Sequence, residues 1–286
     1  MLRTSVRTLK QFVTSQVQVA PELAHTEFES EHAEFKSCLT EKDTLRLLSF
    51  NIQVGINTQH YRHYVTRGWQ HVLPHHGRDE NLNRISHLLR DYDLVAIQEA
   101  DGGSIRSGHI NQIEYLARRA GFPFWYQQLN RNLGKLAQHS NGLLSRVDPD
   151  ILEDHKLPGR FPGRGAIVAK LGHGNSALLV VMMHLSLSSR SRNRQLSYVR
   201  ELVGDHPKVI LMGDMNTHAE QLLDHSPLSN TNLVSVQNNL NTFPSWQPNR
   251  ALDHILVSKN LQVKNINVVD MPMSDHLPVA LELKLS

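Results

Sequence analysis

Apolar runs in this sequence repeatedly end in, or border, side chains that can bind a metal ion or a phosphate group. In the clearest case, Leu211-Met212-Gly213-Asp214-Met215-Asn216, the apolar run stops at a carboxylate followed by a carboxamide. Other runs deliver or border the same kinds of group: Asn51, Glu99, His184, Asp253, Asp275 and His276. Carboxylates hold hard cations such as Mg²⁺, and a carboxylate can also hold an attacking water for phosphoester hydrolysis. The set therefore predicts metal-assisted cleavage of a phosphoester.

Two histidines in or beside these runs follow an aspartate, in Asp253-His254 and Asp275-His276. A neighbouring carboxylate favours the protonated imidazole, which stabilises an anionic transition state. No Gly-x-Ser-x-Gly motif occurs, and Cys38 is not paired with a histidine in a recognised motif, so covalent serine or cysteine catalysis is disfavoured. A purely structural role is the alternative for each residue alone, because buried Asp and Asn commonly form hydrogen bonds. A non-catalytic binding module is the alternative for the whole set. Such a module should have lost at least one of these groups, and none is missing.

Strands must position these residues. Short apolar runs predict strands that include residues 45–52, 94–99, 165–171, 177–183, 209–212, 252–257 and 278–283. Helical spacing predicts intervening helices, which indicates an α/β fold whose ligands bind at the carboxyl ends of strands. We expect Gly213 to let the backbone turn as the chain leaves the sheet.

Composition limits the class of protein. The 286 residues, 40% of them hydrophobic, suit one large globular unit, and no apolar run approaches the ~20 residues of a membrane span. The single Cys38 excludes an internal disulfide framework and fits a reducing, cytoplasmic location. A net charge of +3 and a pI near 9.0 permit an anionic substrate but fall short of a dedicated nucleic-acid binder.

The N-terminal segment differs from the rest. Residues 1–20 have helical apolar spacing with basic and no acidic residues, which predicts an amphipathic helix that binds an anionic membrane surface or acts as a transit peptide. A terminal helix docked on the domain is the alternative. Because residues 21–43 are acidic, we expect residues 1–43 to form a lead-in segment and residues 44–286 a catalytic domain.

Two arginines are candidates for substrate binding. The glycine-rich loop at residues 101–108 could close its backbone amides and Arg106 on a phosphate, although it lacks the Gly-Lys-Ser/Thr of a P-loop. Arg194 begins a predicted helix just after the strand that ends at His184.

The ordered motifs Phe50-Asn51, Gln98-Glu99, His184, Gly213-Asp214-Met215-Asn216, Asp253 and Ser274-Asp275-His276 resemble the endonuclease/exonuclease/phosphatase superfamily of pancreatic deoxyribonuclease-like, metal-dependent phosphoesterases. The resemblance covers residues ~45 to 286, and it is specific because the six motifs keep their order and spacing. It implies a four-layer α/β/β/α sandwich, with two mixed β-sheets face to face and helices outside.

The resemblance also implies site roles. By this resemblance, the metal ligands are Glu99, Asn51 and Asp275, and the ion is Mg²⁺, with Mn²⁺ as the alternative. The catalytic residues that the resemblance implies are His184, Asp214, Asn216, Asp253 and His276. Asp214 would hold or activate the attacking water, and Asn216 would orient that water. The two histidines would hold the phosphate, and Asp253 would support them. Asn141 and Arg194 match substrate-binding positions, and Arg106 joins them from its loop.

The catalytic set leaves the substrate open, because nucleases and small-molecule phosphodiesterases share it. The mild charge and the basic N-terminal segment favour a lipid headgroup or another small phosphoester; a DNA or RNA endonuclease or exonuclease is the alternative. His184 stands where the AP-endonuclease branch has tyrosine, which puts a DNA-repair role in doubt. We expect a monomer that is cytoplasmic and peripherally attached to anionic membranes through residues 1–20.

Overall fold

A computed structural model describes residues 17–19, 24–25, 43–58, 60–66, 76–159, 163–236 and 240–285. In chain order the strands are β1 (Val17–Val19), β2 (Ala24–His25), β3 (Thr44–Asn51), β4 (Leu94–Asp101), β5 (Phe124–Asn132), β6 (Gln138–Ser145), β7 (Ile151–Lys156), β8 (Gly165–Leu171), β9 (Leu178–His184), β10 (Val209–Asp214), β11 (Leu233–Ser235), β12 (Asp253–Ser258), β13 (Gln262–Val268) and β14 (Val279–Lys284). The helices are α1 (Tyr61–Thr66), α2 (His76–Leu89), α3 (Gln112–Ala120), α4 (Ser189–Val203) and α5 (Ala219–Leu223).

These strands form two mixed sheets of seven strands each within the described residues. The first sheet has the order β13-β14-β3-β4-β6-β5-β2, and the second has the order β1-β7-β8-β9-β10-β12-β11. One pair in each sheet is parallel, β3 with β4 and β9 with β10, and the other described pairs are antiparallel. Because parallel neighbours end at the same edge, each pair brings two strand ends together.

Three apolar layers hold the sheets and helices together. Residues such as Leu47 and Met212 fill the space between the sheets. Their sequence neighbours face the opposite way: Leu48 packs with residues of α2 and α3, and Leu211 with residues of α4. Strands covered on both faces have continuous apolar runs, and such runs are visible in the sequence. The predicted four-layer α/β/β/α sandwich is thereby confirmed.

Polar and glycine residues mark the ends of α3 and α4. Asn111 caps α3, because its side-chain oxygen accepts hydrogen bonds from the backbone N–H groups of Ile113 and Glu114. Gly121 follows α3 in the left-handed conformation (φ 74°), which closes the helix at low steric cost. Gly204 follows α4.

The N-terminal segment departs from its prediction. Val17–Val19 form β1, which pairs with β7, so an amphipathic helix over residues 1–20 is wrong for those three residues. Ala24–His25 form β2 at the edge of the other sheet. Residues 1–16, which carry most of the membrane-attachment hypothesis, and Cys38 lie outside the described residues. Within the described part of the chain, no helix is long and apolar enough to cross a bilayer.

Candidate active site

The two parallel pairs position most of the catalytic candidates. Asn51 ends β3, and Glu99 lies near the end of β4 in the first sheet. His184 and Asp214 end β9 and β10 in the second sheet, where they are register partners. Asp214 is also paired, in antiparallel register, with Asp253 at the start of β12. The site is therefore built across both sheets.

Gly213 is required by close approach of two strands rather than by a turn. It lies inside β10 with φ +143°, paired with Met183 on one side and His254 on the other. A Cβ at this position would lie 1.8 Å from the Met183 carbonyl oxygen. The prediction that Gly213 turns the chain out of the sheet is wrong, because β10 continues to Asp214.

A β-bulge positions Glu99. The pairing of β4 with β6 shifts register between Ile97 and Ala100, and Glu99 has φ 56° in the left-handed region. Bulges re-aim side chains, and a left-handed glutamate is uncommon, so this conformation is held by the surrounding sheet. The side chain is 38% exposed and lines a cavity of about 630 Å³ together with His184.

Asp214 is the most enclosed carboxylate of the site. Asn51 Nδ2 donates a hydrogen bond to Asp214 Oδ2 at 3.0 Å, and His184 Nε2 lies 3.4 Å from the same oxygen. Burial, reinforced by the Asp253 and Glu99 carboxylates, raises the pKa of Asp214 to about 7. A carboxylate with that pKa is a stronger base than an exposed aspartate.

His276 is held in the charged state by an acidic neighbour. Its Nδ1 lies 2.7 Å from Asp253 Oδ2, and the hydroxyl of Thr242 donates to the same carboxylate at 2.5 Å. Burial alone would lower the pKa of His276, but Asp253 and Asp214 raise it well above its ordinary value. The Nε2 of the ring lies 4.0 Å from Asp214 Oδ2. His276 thus presents a cationic N–H beside the buried carboxylate.

His184 is the neutral counterpart of His276. Burial, with the nearby charges of Arg164, His276 and His139, lowers the pKa of His184 well below its usual range. Its Nε2 is 3.8 Å from Glu99 Oε1.

Asn216 fixes the loop after β10. It adopts φ 52°, its backbone N–H donates to Asp214 Oδ1 at 3.0 Å, and its Nδ2 donates to the Leu185 carbonyl at 2.9 Å. The described contacts therefore link Asn216 to Asp214 through the main chain and to the strand end of β9 through the side chain.

The donor set fits a hard divalent cation. Glu99, His184 and Asp214 offer ligand atoms within 4.8 Å of one another, as do Asp214, Asp253 and His276. The second group is already neutralised by the proton on His276, so it fits a cation less well. Burial and the nearby Asp275 carboxylate raise the pKa of Glu99 against the opposing effects of His276, Asn51 and Arg164, which reflects repulsion between those two acids. A cation bound there would relieve that repulsion, with the carboxamide of Asn51 adjacent to Glu99.

The glycine-rich loop at residues 101–108 does not present its amides to a ligand. The backbone N–H groups of Gly103 and Ser104 and the Arg106 guanidinium all donate to Asp101, the last at 2.5 Å. The expectation that the amides bind phosphate is wrong, because the loop closes on its own carboxylate. Arg106 is buried and reaches the cavity only through His139, 3.5 Å from its Nη2.

The other two substrate-binding candidates are placed differently from each other. Asn141 lines the cavity beside Glu99 and donates from Nδ2 to Gln128 Oε1 at 3.2 Å. Arg194 is exposed on α4 and does not line the cavity. Arg192, two residues earlier in α4, instead donates to the carbonyl oxygens of Ser186 and Leu187.

Sequence reasoning missed the basic residues of the cavity, which are Arg131, His139 and Arg164. They lie on segments that are distant in sequence and carry no motif. The only signal is the run Pro158-Gly159-Arg160-Phe161-Pro162-Gly163-Arg164-Gly165, whose glycines and arginines suggest a close approach to an anion.

Comparison with known proteins agrees with this geometry. The sequence model of the endonuclease/exonuclease/phosphatase family matches residues 48–276 of this chain. No curated protein matches the chain. An endonuclease/exonuclease/phosphatase from Beutenbergia cavernae is similar in structure, with a TM-score of 0.63, 20% identity, and coverage of 86% of this chain and 72% of that chain.

Two further solved structures show the same fold. A mannosyl-6-phosphatase from Bacteroides thetaiotaomicron has a TM-score of 0.61 and 18% identity, and the match covers 84% of this chain and 100% of that one. D. rerio TDP2, complexed with a single-strand DNA product, has a TM-score of 0.60 and 15% identity, with 85% of this chain and 100% of that one covered.

Proposed function

Because this chain belongs to the endonuclease/exonuclease/phosphatase family, whose members are metal-dependent hydrolases of phosphoester bonds, we propose that it cleaves a small phosphodiester, such as a lipid headgroup, by in-line attack of water. One observation carries the proposal: buried Asp214 lies between a neutral His184 and a charged His276. A base flanked by hydrogen-bond donors is the arrangement that hydrolysis of a phosphoester requires.

Each residue then has a defined task. Asp214 holds the attacking water and accepts its proton, since burial raises the pKa of this carboxyl to about 7. His276 donates a charged hydrogen bond to a phosphate oxygen, and Asp253 keeps it protonated. His184 donates a neutral hydrogen bond from the opposite side. Donors fixed in advance at the site of developing charge are commonly worth ~100-fold or more in rate.

Glu99, Asn51 and Asp275 would hold the cation, for which we propose Mg²⁺, with Mn²⁺ as a substitute. When bound, such an ion supplies positive charge to the phosphate oxygens. Asn51 has a second task, because its Nδ2 donates to Asp214 and so aligns that carboxylate relative to the metal ligands.

The shape of the cavity favours a small substrate. Its volume of about 630 Å³ lies within the range of small-molecule sites, and it adjoins Glu99 and His184 directly. Ser186, Ser188 and Ser191 add hydroxyl groups to its wall. A compact, polar and basic cavity suits the anionic headgroup of a small phosphodiester.

Single-stranded nucleic acid is a second candidate, because the Phe243 ring contacts a catalytic histidine and a partly exposed aromatic pair includes Trp246, three residues further along the chain. Phe243 packs against His276 with centroids 4.9 Å apart, and Tyr61 meets Trp246 edge to face at 5.1 Å. The Tyr61 side chain is 59% exposed. Exposed aromatic rings stack on nucleobases, and the similar D. rerio protein is described with a single-strand DNA product.

A side-by-side assay separates these functions. Purified protein with Mg²⁺ is given bis-p-nitrophenyl phosphate, choline and anionic phospholipid vesicles, single-stranded DNA, RNA and plasmid. We expect the small diester or a phospholipid to be cleaved with the highest kcat/KM. Faster cleavage of single-stranded DNA or RNA would select the second candidate, and no cleavage of any phosphoester would refute both. Asp214→Asn controls for a contaminating hydrolase.

A further inference from the structure

The cavity beside Glu99 and His184 contains more positive charge than cleavage of one phosphate uses. Arg131 and His139 are register partners on β5 and β6 of the first sheet. Arg164 immediately precedes β8 of the second sheet. All three line the same cavity, whose lining includes one carboxylate, that of Glu99.

Within the described residues, no carboxylate lies within ion-pair distance of either Arg131 or Arg164, although Glu99 is an electrostatic neighbour of Arg164. Arg106 behaves differently, because Asp101 neutralises it at 2.5 Å. Arginines that stabilise the fold are usually paired in this second way, whereas unpaired arginines in a cavity suit a bound anion.

The fold fixes the arginines near each other. A Cβ on Gly165 would lie 2.1 Å from Gln128 Oε1, and Gly163 adopts φ +116° with its missing Cβ position 3.4 Å from the Cβ of Arg131. Gln128 on β5 donates to the Ala166 carbonyl on β8 at 3.0 Å, which joins the two sheets at this edge. The glycines therefore let the segment that carries Arg164 pack directly against β5.

The pKa of His139 reflects burial and the excess of positive charge around its imidazole. Burial, with the charges of Arg106, Arg131 and Arg164 outweighing that of Asp101, lowers the pKa of His139 to about 4. The imidazole is therefore neutral at neutral pH and remains available as a hydrogen-bonding group. A dianion placed among these groups would relieve their repulsion.

We propose that Arg131, His139 and Arg164 bind a second phosphate group of the substrate, next to the phosphate that is cleaved. The substrate class is then a phosphodiester that also carries a phosphomonoester, whose two charges match the two unpaired arginines. This inference rests on the proposed function for its relation to cleavage, but binding of the second phosphate is testable alone. The guanidinium groups supply paired N–H donors that fit phosphate oxygens.

The first experiment is calorimetric titration of the full-length protein with inorganic phosphate in EDTA, which removes metal-dependent binding. We expect Arg131→Gln and Arg164→Gln each to weaken binding about tenfold, the size expected for loss of a charge-assisted hydrogen bond. Arg200→Gln is the matched control, because it removes the same charge from an exposed position on α4 that lines a separate groove. Circular dichroism checks that each variant is folded. If Arg164→Gln does not fold, Arg131→Gln still provides the test, because Arg131 is exposed.

Three outcomes would overturn the second-phosphate site. One is no binding by the wild-type protein. Another is equal affinity in Arg131→Gln and Arg200→Gln. The third is binding that is abolished by His276→Ala but unaffected in both cavity variants, which would place the anion at the catalytic group instead.

A kinetic experiment links the site to substrate. Thymidine 5′-(p-nitrophenyl phosphate) is compared with the same compound carrying a 3′-phosphate. We expect a higher kcat/KM for the 3′-phosphorylated compound, and loss of that preference in Arg131→Gln. Equal kcat/KM values in the wild-type protein would contradict the inference while leaving the proposed function intact. If neither compound is cleaved, the proposed function fails for this scaffold, and the phosphate titration still decides the binding site.

Discussion

His276 Nδ1 lies 2.7 Å from Asp253 Oδ2, while Nε2 of the same ring lies 4.0 Å from Asp214 Oδ2. The Asp253 carboxylate therefore stabilises the positive charge of the His276 imidazole, which in turn lies near the Asp214 carboxylate. Asp253 and Asp214 raise the pKa of His276 against the opposing effect of burial, so the charged form is the one present at neutral pH. If that form is the active one, activity is lost as pH rises through the raised pKa.

Asp253→Asn should move that alkaline limit to lower pH, because the neutral amide no longer stabilises the imidazolium. At about pH 8 we expect kcat to fall by at least ~10-fold, with a smaller loss below the ordinary histidine pKa of ~6.5. The measurement is a kcat profile against pH for the wild type and the variant. An unshifted alkaline limb would show that Asp253 acts on structure alone.

Asp214→Asn should abolish most activity without unfolding the protein. Loss of the proton acceptor should cost at least ~100-fold in kcat, and His276→Ala should cost a similar factor. Burial raises the pKa of Asp214, so the folded protein binds more protons than the unfolded chain between the ordinary pKa and about 7, and stability from this group falls as pH rises. Thermal unfolding in EDTA at neutral pH should therefore show Asp214→Asn at least as stable as the wild type. A large drop in Tm would assign Asp214 a structural role.

Hydrolysis of bis-p-nitrophenyl phosphate should require Mg²⁺ or Mn²⁺. The paired acids Glu99 and Asp275 motivate this, because their mutual repulsion raises the pKa of Glu99 in addition to burial. We expect excess EDTA to remove activity and added Mg²⁺ to restore it. Glu99→Gln should raise the Mg²⁺ concentration needed for half-maximal rate. Full activity in EDTA would refute the metal assignment.

Asp101 should contribute an acid-sensitive part of the stability. Burial alone would raise its pKa, but hydrogen bonds from Ser104, Arg106 and Ser107 outweigh burial and lower the pKa to about 2. The lowered pKa corresponds to a contribution of about 2 kcal/mol to the free energy of unfolding. This contribution is fully present above the pKa of the unfolded chain, near 3.8, and is lost as pH falls toward 2. Urea unfolding should show Asp101→Asn less stable than the wild type at neutral pH, with the difference narrowing in acid. The exposed Asp270→Asn is the control, and a difference that does not depend on pH would contradict this account.

Gly213→Ala should be far more damaging than alanine at another glycine with positive φ. Its Cβ would clash with the Met183 carbonyl oxygen, so β9 and β10 must separate, and we expect a loss of at least ~3 kcal/mol. Gly108→Ala also has positive φ but meets nothing within 4 Å, so about 1 kcal/mol is expected there. Denaturant unfolding of both variants measures the contrast. Similar losses would show that φ alone, and not strand contact, requires Gly213.

The sequence predicted the central strands and the residues at their ends, because strands buried on both faces have continuous apolar runs that stop where polar chemistry begins. It did not predict the conformation of Glu99, since a bulge depends on the register of β6. The pairing of Arg106 with Asp101 was also missed, because a glycine-rich loop has the same composition whether its anion is internal or bound. Val17–Val19 fit either a helix or a strand, and pairing with β7 selected the strand.

The last described strand, β14, returns to pair with β3, which opens the catalytic part of the chain. The second sheet is therefore completed before the first, and His276 lies just ahead of the strand that closes the first sheet. During translation, a nascent chain that has produced Glu99, His184 and Asp214 still lacks both β14 and the charged imidazole. We therefore expect polypeptides that terminate before Asp275 to be inactive, because they lack both His276 and the strand that pairs with β3.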